Sequence, residues 1–251
     1  LKDGKVAETG NISLTDVSPD DNVNVTIPFN RNLERGKEYF LNVYCVLKDS
    51  TSWAEKGYVV ASEQFALTDR MPVSAIDVND VANIAISDTP STLLVKGNAF
   101  DIGFDKKTGL MNSMKYDGRE MIYKANGPKF NWYRSVNNDK YTDQNYHETN
   151  LGTPFFTYQL SADKKSVVVI YNTVATIQND RKVKVPVFVK YTIYGNGAID
   201  VDGSFTLPEN GDIVRRLGLQ MVLPQGYDNV SYYGHGPFEN YSDRKAAAYI
   251  G

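Results

Sequence analysis

The chain has a single cysteine, Cys45, among its 251 residues. One thiol cannot form an internal disulfide, and it excludes a zinc site built from several cysteines. Histidine is almost as scarce, since His147 and His235 are the only two and neither lies in a metal-binding pattern. Asn137–Asp139 is the best local cluster of oxygen ligands for calcium, but these residue types also form turns, which is the interpretation we favour. We therefore expect no metal site.

Positive charge is not in excess either. The 27 Lys and Arg residues are outnumbered by 30 Asp and Glu residues, which gives a net charge of −3. Such a balance lacks the basic patch that attracts nucleic acids and anionic lipids. Apolar runs are short as well: Ser166–Tyr171 is among the longest, far below the roughly 20 residues that cross a bilayer. The sequence therefore predicts neither a nucleic-acid partner nor a membrane span.

What the sequence does contain is apolar residues at every second position, a spacing that places alternate side chains on opposite faces of a β-strand. The clearest runs are Phe100–Phe104, Val183–Ile193 and Ile199–Phe205. Gly195–Gly197, between the last two runs, is typical of a tight hairpin turn. Pro186 interrupts the second run, which predicts an edge strand or a bulge there. Long amphipathic helical patterns are missing, so the predicted fold class is all-β.

One segment without periodicity divides the chain. Before it, Tyr39–Leu47 and Val59–Leu67 are predicted to be strands of a small sandwich that occupies residues 1–70. Residues 71–80 are predicted to be a linker, and residues 81–251 alternate strands and turns without a comparable break. An immunoglobulin-type sandwich takes about 100 residues and about seven strands. The first unit therefore has fewer strands than a complete sandwich of that type.

The usual catalytic patterns are missing from the sequence. There is no Gly-x-Ser-x-Gly elbow, and Cys45 lies in a predicted strand, where a free cysteine is usually a small core residue. With 30 acidic residues, some pair of carboxylates is always present, so spacing alone does not identify a glycosidase. His235 and Glu239 could serve as the acid and base of an aldose epimerase. For that pair we favour polar groups that satisfy a sheet-to-sheet crossover. Glu239 and Asp243, with Tyr241 and Arg244 beside them, are predicted to form a buried, hydrogen-bonded cluster.

Aromatic residues are plentiful, with 17 Tyr, 11 Phe and 2 Trp. Trp132 and Arg134 combine a ring with hydrogen-bond donors, which makes them candidates for contact with a carbohydrate. Tyr and Phe are also favoured in strands for packing alone. Trp53, in the polar loop between the first two strands, is predicted to be a buried anchor. From these residues alone, the chain is an all-β protein of two units without an identifiable active site.

Three stretches carry longer motifs. They are Tyr232-Tyr-Gly-His-Gly-Pro-Phe-Glu-Asn-Tyr-Ser-Asp-Arg244, Gly127-Pro-Lys-Phe-Asn-Trp-Tyr-Arg-Ser-Val-Asn-Asn-Asp139, and Thr51-Ser-Trp-Ala-Glu-Lys-Gly-Tyr58 with Glu63-Gln-Phe65. The first resembles the signature Trp-x-Gly-x-Gly-Pro-x-Glu-Asn-Tyr-x-Asp-Arg of the large family 2 β-galactosidases. The second is similar to their Phe-x-Arg-Ala-Pro-x-Asp-Asn-Asp segment, and the third to their Ala-Trp-x-x-x-Gly-x and Gln-Phe elements. The sequence departs from the family at Ser135–Val136 and Ser242.

The resemblance implies a fold. The first unit would be an immunoglobulin-like fourth domain that is truncated at its N terminus. The second would be the start of a fifth domain, a large antiparallel supersandwich like that of galactose mutarotases, truncated at its C terminus. In this family the two catalytic glutamates lie in a preceding (β/α)8 barrel, and so do the sites for magnesium and sodium. The chain would then hold no catalytic residue, metal ligand or cofactor, although its parent would hydrolyse terminal β-D-galactosides with retention.

The same resemblance implies roles for single residues. The segment that contains Asn138, Asp139, Tyr141 and Asp143 corresponds to a mobile loop near the mouth of the active site, where such loops commonly gate the substrate. The residues of the first motif are expected to be structural and to pin sheet crossovers through charge-assisted bonds. They are Gly236, Pro237, Glu239, Asn240, Tyr241, Asp243 and Arg244.

Two alternatives stay open beside this interpretation. One is a carbohydrate-binding module that uses Trp132, Tyr133 and neighbouring loops, and the other is a stand-alone aldose epimerase built on the supersandwich. The β-galactoside itself is expected to bind the parent enzyme. Because a sandwich that lacks its first strands exposes a strand edge, association into homo-oligomers is also expected.

Overall fold

The computed structural model describes residues 1–14, 17–18, 20–69, 75–132, 149–177, 183–207, 209 and 217–251. These residues form strands and short 3-10 turns, and no α-helix occurs among them. The described ranges also contain no helix with the length and apolar character needed to cross a membrane. The strands pair antiparallel throughout, so the all-β fold class is confirmed.

Sixteen strands are present in the described residues. They are β1 Phe40–Val46, β2 Val59–Ala66, β3 Ala85–Asp88, β4 Thr92–Lys96, β5 Phe100–Asp105, β6 Met111–Tyr116, β7 Arg119–Glu120, β8 Lys129–Asn131, β9 Thr149–Leu151, β10 Phe155–Leu160, β11 Ser166–Ile177, β12 Lys184–Tyr194, β13 Ile199–Phe205, β14 Gly218–Gln220, β15 His235–Gly236 and β16 Tyr249–Ile250. The 3-10 turns are Val78–Asp80, Tyr123–Ala125 and Lys245–Ala247.

The chain forms two compact units. Unit 1 comprises Leu1–Ala75 together with Asn229–Gly251, and unit 2 comprises Ile76–Asp228. The segment that carries the first motif therefore lies in the same unit as the beginning of the chain. The boundaries drawn from the sequence at residues 70 and 80 stay predictions.

Unit 2 contains two five-stranded antiparallel sheets. One has the order β3-β4-β5-β6-β7, and the other has the order β10-β11-β12-β13 with β9 also paired to β11. Their facing side chains build one apolar cluster, to which the first sheet contributes Leu93, Ile102 and Phe104 and the second Val169 and Tyr191. The rings of Phe104 and Tyr191 lie 5.5 Å apart. The two sheets therefore pack face to face as a sandwich.

Strand β12 confirms the period-2 pattern of the second apolar run. Val185, Val187, Val189, Tyr191 and Ile193 are all buried, and the residues between them are not. These five side chains therefore face the core of unit 2, as the alternation predicted.

The prediction of an edge strand or a bulge at Pro186 is wrong. β12 lies between β11 and β13, and its ladder with β11 runs without a shift from Tyr194 to Lys184. The last pair with β13 is Val187 with Phe205, and the Thr206 N–H donates to the carbonyl of Pro186 at 3.1 Å. Because the amide and carbonyl of a strand residue point to the same side, the missing N–H faces the end of β13. Only the bond from this position to Thr206, at the end of the ladder with β13, is lost.

One sheet of unit 1 consists of the two strands β1 and β2, and two side chains there differ from expectation. Cys45, predicted to be a small core residue, is exposed. Trp53, predicted to be a buried anchor, is 65% exposed and lies edge-on to Tyr58 with the ring centroids 5.5 Å apart. Both predictions are wrong. Burial at these positions needs a second layer of structure over the hairpin, and the two-stranded sheet provides none there.

Candidate functional site

The first motif forms a loop that is closed at its base. His235 and Gly236 form β15, which pairs with Tyr249–Ile250 of β16. Gly234 and Gly251 continue the pairing through two backbone hydrogen bonds of 3.2 and 3.1 Å. The Nδ1–H of His235 donates to the carbonyl of Ala248 at 2.5 Å. The residues from Pro237 to Arg244 thus extend from a short, tied hairpin.

A side-chain amide fastens this hairpin to β2. The Nε2 of Gln64 donates to the carbonyl of Ile250 at 2.9 Å, and the N–H of Ile250 donates to the Oε1 of Gln64 at 2.8 Å. The side-chain amide of Gln64 therefore forms the two hydrogen bonds with Ile250 that the backbone of a neighbouring strand would form. The hydroxyl of Tyr249 adds a bond to Ser62 Oγ at 3.0 Å.

Tyr233 ties the start of the motif to the first residues of the chain. Its hydroxyl donates to the carboxylate of Glu38 at 3.0 Å. Its ring lies so close to Gly4 that a Cβ at Gly4 would come within 2.8 Å of it. Burial, and then the neighbouring Glu38 carboxylate, raise the pKa of Tyr233 to about 12. The phenol therefore stays protonated and keeps donating its hydrogen bond at neutral pH.

The charged residues of the motif lie at the surface. Pro237, Glu239, Asn240, Asp243 and Arg244 are all exposed, and Tyr241 is 37% exposed. Arg244 Nη1 lies 3.5 Å from Glu239 Oε1, and both side chains are about half exposed, at 52% and 54%. An ion pair in solvent contributes between about 0 and 1 kcal/mol. The interpretation as a buried cluster is therefore wrong, while the structural role given to the motif stays a prediction.

His235 and Glu239, the pair proposed for an epimerase, each contact a different residue. His235 uses Nδ1 to bond the carbonyl of Ala248, and Glu239 faces Arg244. A shared acid–base function requires the two side chains to meet across a substrate position. The structure ties each of them to a different neighbour instead.

Trp132, a candidate for contact with a carbohydrate, lies inside unit 2. Its ring is 2% exposed and packs edge-on against Phe130 with the centroids 4.8 Å apart. Among the described residues, no hydrogen-bond partner reaches its Nε1. A sugar could contact this ring only if the residues around it moved. Arg134 lies outside the described residues, and the role of the pair stays a prediction.

The four residues assigned to the active-site loop, Asn138, Asp139, Tyr141 and Asp143, also lie outside the described residues. The structure does describe what flanks their segment. Before it, β8 pairs with β14, and Trp132 follows in the core. After it, β9 pairs with the end of β11. Both flanks of residues 133–148 are thus held by strand pairing in unit 2.

Four carboxyl groups of the described residues have a shifted pKa. They are Asp3, Asp88, Glu120 and Asp163, and each shift is downward. A glycosidase acid needs a raised pKa so that it stays protonated at neutral pH. The described residues also contain no group of three or more His, Cys, Asp or Glu that could hold a metal ion.

Glu120 shows how such a shift arises. Burial by itself raises the pKa of this carboxyl group, but three hydrogen bonds outweigh it and lower the pKa. They come from the hydroxyl of Ser113 at 2.5 Å, the N–H of Met114 at 2.8 Å and the N–H of Ile122 at 3.0 Å. The carboxylate of Glu120, in β7, is therefore tied to β6 and to Ile122.

We expect Glu120→Gln to lower the free energy of unfolding by about 1–2 kcal/mol at pH 7, because hydrogen bonds to a charged acceptor are lost or weakened. A lowered pKa in the folded state stabilises above the pKa of the unfolded chain, and this contribution is lost as the pH falls through the folded pKa. The difference between the two proteins should thus shrink below about pH 4. Urea unfolding at pH 7 and at pH 3.5 measures it, and an equal difference at both values would contradict the prediction.

Sequence reasoning missed the residues that fasten the motif, which are Gln64, Ser62, Tyr249 and Glu38. Gln64 lies in a recognised Gln-Phe element, which was the one signal that marked it. Its partner Ile250 is 186 residues away, and nothing in the spacing connects them.

Comparison with known proteins gives two family matches. Residues 1–68 match the family model described as "Beta-galactosidase, domain 4". Residues 96–251 match the model described as "Beta galactosidase small chain".

Similar curated proteins carry the same name. The β-galactosidase of Priestia megaterium (strain DSM 319 / IMG 1521) is 28% identical over 254 residues, covering 98% of this chain and 24% of the relative. That of Psychromonas ingrahamii is 29% identical over 234 residues, covering 86% and 22%. That of Lactobacillus delbrueckii subsp. bulgaricus is 27% identical over 255 residues, covering 100% and 24%. The chain thus spans about a quarter of the length of these relatives.

Proposed function

This chain belongs to the β-galactosidase small-chain family, and we propose that it is a non-catalytic C-terminal portion of a β-galactosidase. The parent enzyme would hydrolyse terminal β-D-galactosides with retention, using two glutamates of a barrel outside this chain. The observation that carries the proposal is the succession of a domain 4 match at 1–68 and a small-chain match at 96–251. That order is the one expected of the region after the barrel.

The electrostatics of the described residues support a non-catalytic role. Retaining hydrolysis needs two carboxyl groups about 5–5.5 Å apart, one of which must be protonated. The described carboxyl groups with a shifted pKa are all more acidic than usual, and Asp3, Asp88 and Asp163 owe this first to a hydrogen bond from a neighbouring side chain. They stabilise turns and ion pairs.

The family is expected to use magnesium and sodium, and we propose that the ligands of both ions lie in the barrel. The described residues bring together no cluster of three His, Cys, Asp or Glu side chains.

The contribution of this chain to catalysis would be to hold the segment that contains Asn138, Asp139, Tyr141 and Asp143. Strand pairing at β8 and β9 fixes both flanks of that segment. A loop held on a rigid sandwich can close over a substrate without the scaffold changing shape. The sandwich of unit 2 thus serves as the platform, and the segment orients the substrate or restricts access to it.

Reading the DNA that precedes the codon of Leu1 tests this proposal. We expect the same reading frame to continue upstream and to encode an alternating strand–helix pattern of eight repeats with two glutamates. The product of the longer frame should hydrolyse a chromogenic β-galactoside. A reading frame that lacks the barrel would overturn the proposal that this chain is the C-terminal portion of such an enzyme.

A further inference from the structure

Two neighbouring hairpin turns of unit 2 form a cavity of about 250 Å³. One turn, at residues 97–99, joins β4 to β5, and the other, at residues 117–118, joins β6 to β7. The two turns are tied together because the N–H of Asp117 donates to the carbonyl of Ala99 at 2.8 Å. All residues that line the cavity lie between positions 97 and 118, so one short stretch of the chain builds it.

Both turns have a constrained backbone, so the cavity is preformed. Asp117 and Gly118 have positive φ angles of 49° and 74°, which Asp-Gly adopts readily in two-residue hairpin turns. In the other turn, the N–H of Gly97 donates to the carbonyl of Phe100 at 2.9 Å. The ring of Phe100 is buried and lies so close to Gly97 that a Cβ there would be 2.0 Å from it. The lining therefore needs little ordering when a ligand enters, which favours binding.

Four residues with polar side chains line the cavity. They are Asn98, Asp101, Lys115 and Asp117. Asp101 and Lys115 lie directly opposite each other in the ladder of β5 and β6, so their side chains project from the same face of the sheet. That face is the outer one, because Phe100 and Ile102, on either side of Asp101, belong to the core of unit 2.

None of these four side chains has a hydrogen-bond or ion-pair partner in the described part of the chain. Asp101 lies between Lys115 of β6 and Lys96 of β4 in the two ladders, yet it is paired with neither. Glu120, which lies opposite Lys115 in β7, accepts hydrogen bonds from Ser113 and from two backbone N–H groups instead. The donors of Lys115 and the acceptors of Asp101 are therefore available to a ligand.

The charges of the lining decide which class of ligand fits. Lys115 repels a metal cation, and the carboxylates of Asp101 and Asp117 repel an anion. A neutral molecule with several hydroxyl groups satisfies both signs, because each hydroxyl can donate to a carboxylate and accept from an ammonium group. The amide of Asn98 adds a donor and an acceptor of its own. We propose that this cavity binds a neutral monosaccharide.

The volume of the cavity limits the ligand to a single sugar ring. Pockets for drug-sized ligands enclose about 300–1,000 Å³, and this cavity is smaller. Among the described residues, no exposed aromatic ring lines it, so hydrogen bonds provide most of the binding energy. We expect a dissociation constant on the order of 1 mM. The site goes beyond the proposed function, which gives unit 2 a supporting role only.

Nuclear magnetic resonance of the isotope-labelled chain tests the site. D-Galactose, D-glucose and D-mannose are added separately, each to a concentration well above the expected dissociation constant. The backbone amide signals of Gly97 and Gly118 and the side-chain amide signals of Asn98 should shift in a saturable manner with at least one of them. The absence of a saturable shift at these groups with all three sugars would overturn the proposal. A response to the free amino acid glycine that is as strong as the response to the sugars would overturn the assignment to a neutral ligand.

Two substitutions in the cavity, Asp101→Asn and Lys115→Met, locate the binding site. Each keeps the approximate size of the side chain and should weaken sugar binding about tenfold or more, because a hydrogen bond to a charged group is lost. Lys107→Met is the matched control and should leave the dissociation constant unchanged, since Lys107 is exposed in the turn at the other end of β5.

The titrations of these variants give a clear decision. Binding that survives both cavity substitutions, or that Lys107→Met weakens equally, would overturn the proposal. The signals of residues far from the cavity verify that each variant is folded, which is expected because both substituted side chains lie on the outer face of the sheet. No outcome depends on whether the upstream reading frame encodes a barrel, so the two proposals can fail separately.

Discussion

Replacing Gly195 by alanine should lower the free energy of unfolding of unit 2 by about 3 kcal/mol or more, one of the largest effects expected for a single methyl group. Gly195 follows β12 in the turn to β13. A Cβ placed there would lie 1.7 Å from the carbonyl oxygen of Ala82 and 2.7 Å from its carbonyl carbon. The obstacle is backbone, which cannot rotate aside as a flexible side chain does. The turn must therefore move, and the hydrogen bond from Gly195 N–H to the Lys165 carbonyl, of 2.9 Å, moves with it.

Gly218→Ala is the matched control. Gly218 lies in β14 of the same unit, and a Cβ there would have no atom within 4 Å. This change should alter the free energy of unfolding by about 0.5 kcal/mol or less. Urea unfolding followed by circular dichroism compares the two variants. Equal stabilities would show that the turn is not packed against Ala82 as described.

Phe104→Ala should be nearly as damaging, at about 3–5 kcal/mol. The side chain is fully buried. Its ring lies 5.5 Å from that of Tyr191 and 6.0 Å from that of Phe156, both in the opposite sheet. Truncation removes these contacts and leaves a cavity between the sheets, and the surrounding strands can close it only in part.

Phe155→Ala separates this effect from the loss of a phenyl ring as such. Phe155 precedes Phe156 in β10 and is 61% exposed, because alternate residues of the strand face opposite sides. Its removal should change the free energy of unfolding by about 0.5 kcal/mol or less. The same urea titration measures both variants. A Phe104→Ala protein as stable as the Phe155→Ala protein would contradict the packing of the two sheets against each other.

The sandwich of unit 2 could be predicted from the sequence because its strands alternate. The alternation from Val185 to Ile193 predicts one buried face, and the alternate side chains of this run are buried in the structure. The error at Pro186 has a physical cause: whether a proline costs a ladder bond depends on where the neighbouring strand ends. The end of β13 is not visible in the sequence of β12.

Unit 1 was harder to predict because burial there depends on layers that a local pattern does not reveal. Cys45 and Trp53 have apolar character, and composition favours the core for both, yet the two-stranded sheet leaves them exposed. The contacts of the first motif could not be predicted either. The motif was recognised in the sequence, but the hydrogen bonds between the Gln64 amide and Ile250 join residues far apart in the chain. Side-chain groups that replace backbone partners leave no periodic signal.

The most direct measurement of the central claim is hydrolysis of o-nitrophenyl β-D-galactoside by the purified chain, made in a host without a β-galactosidase of its own. Full-length β-galactosidase of Priestia megaterium, assayed in parallel, is the positive control. We predict that the chain releases nitrophenol no faster than buffer, because under the proposed function the acid and the nucleophile would lie on other polypeptide. Hydrolysis that rises in proportion to the concentration of the chain, and that the destabilised Gly195→Ala variant loses, would contradict the claim.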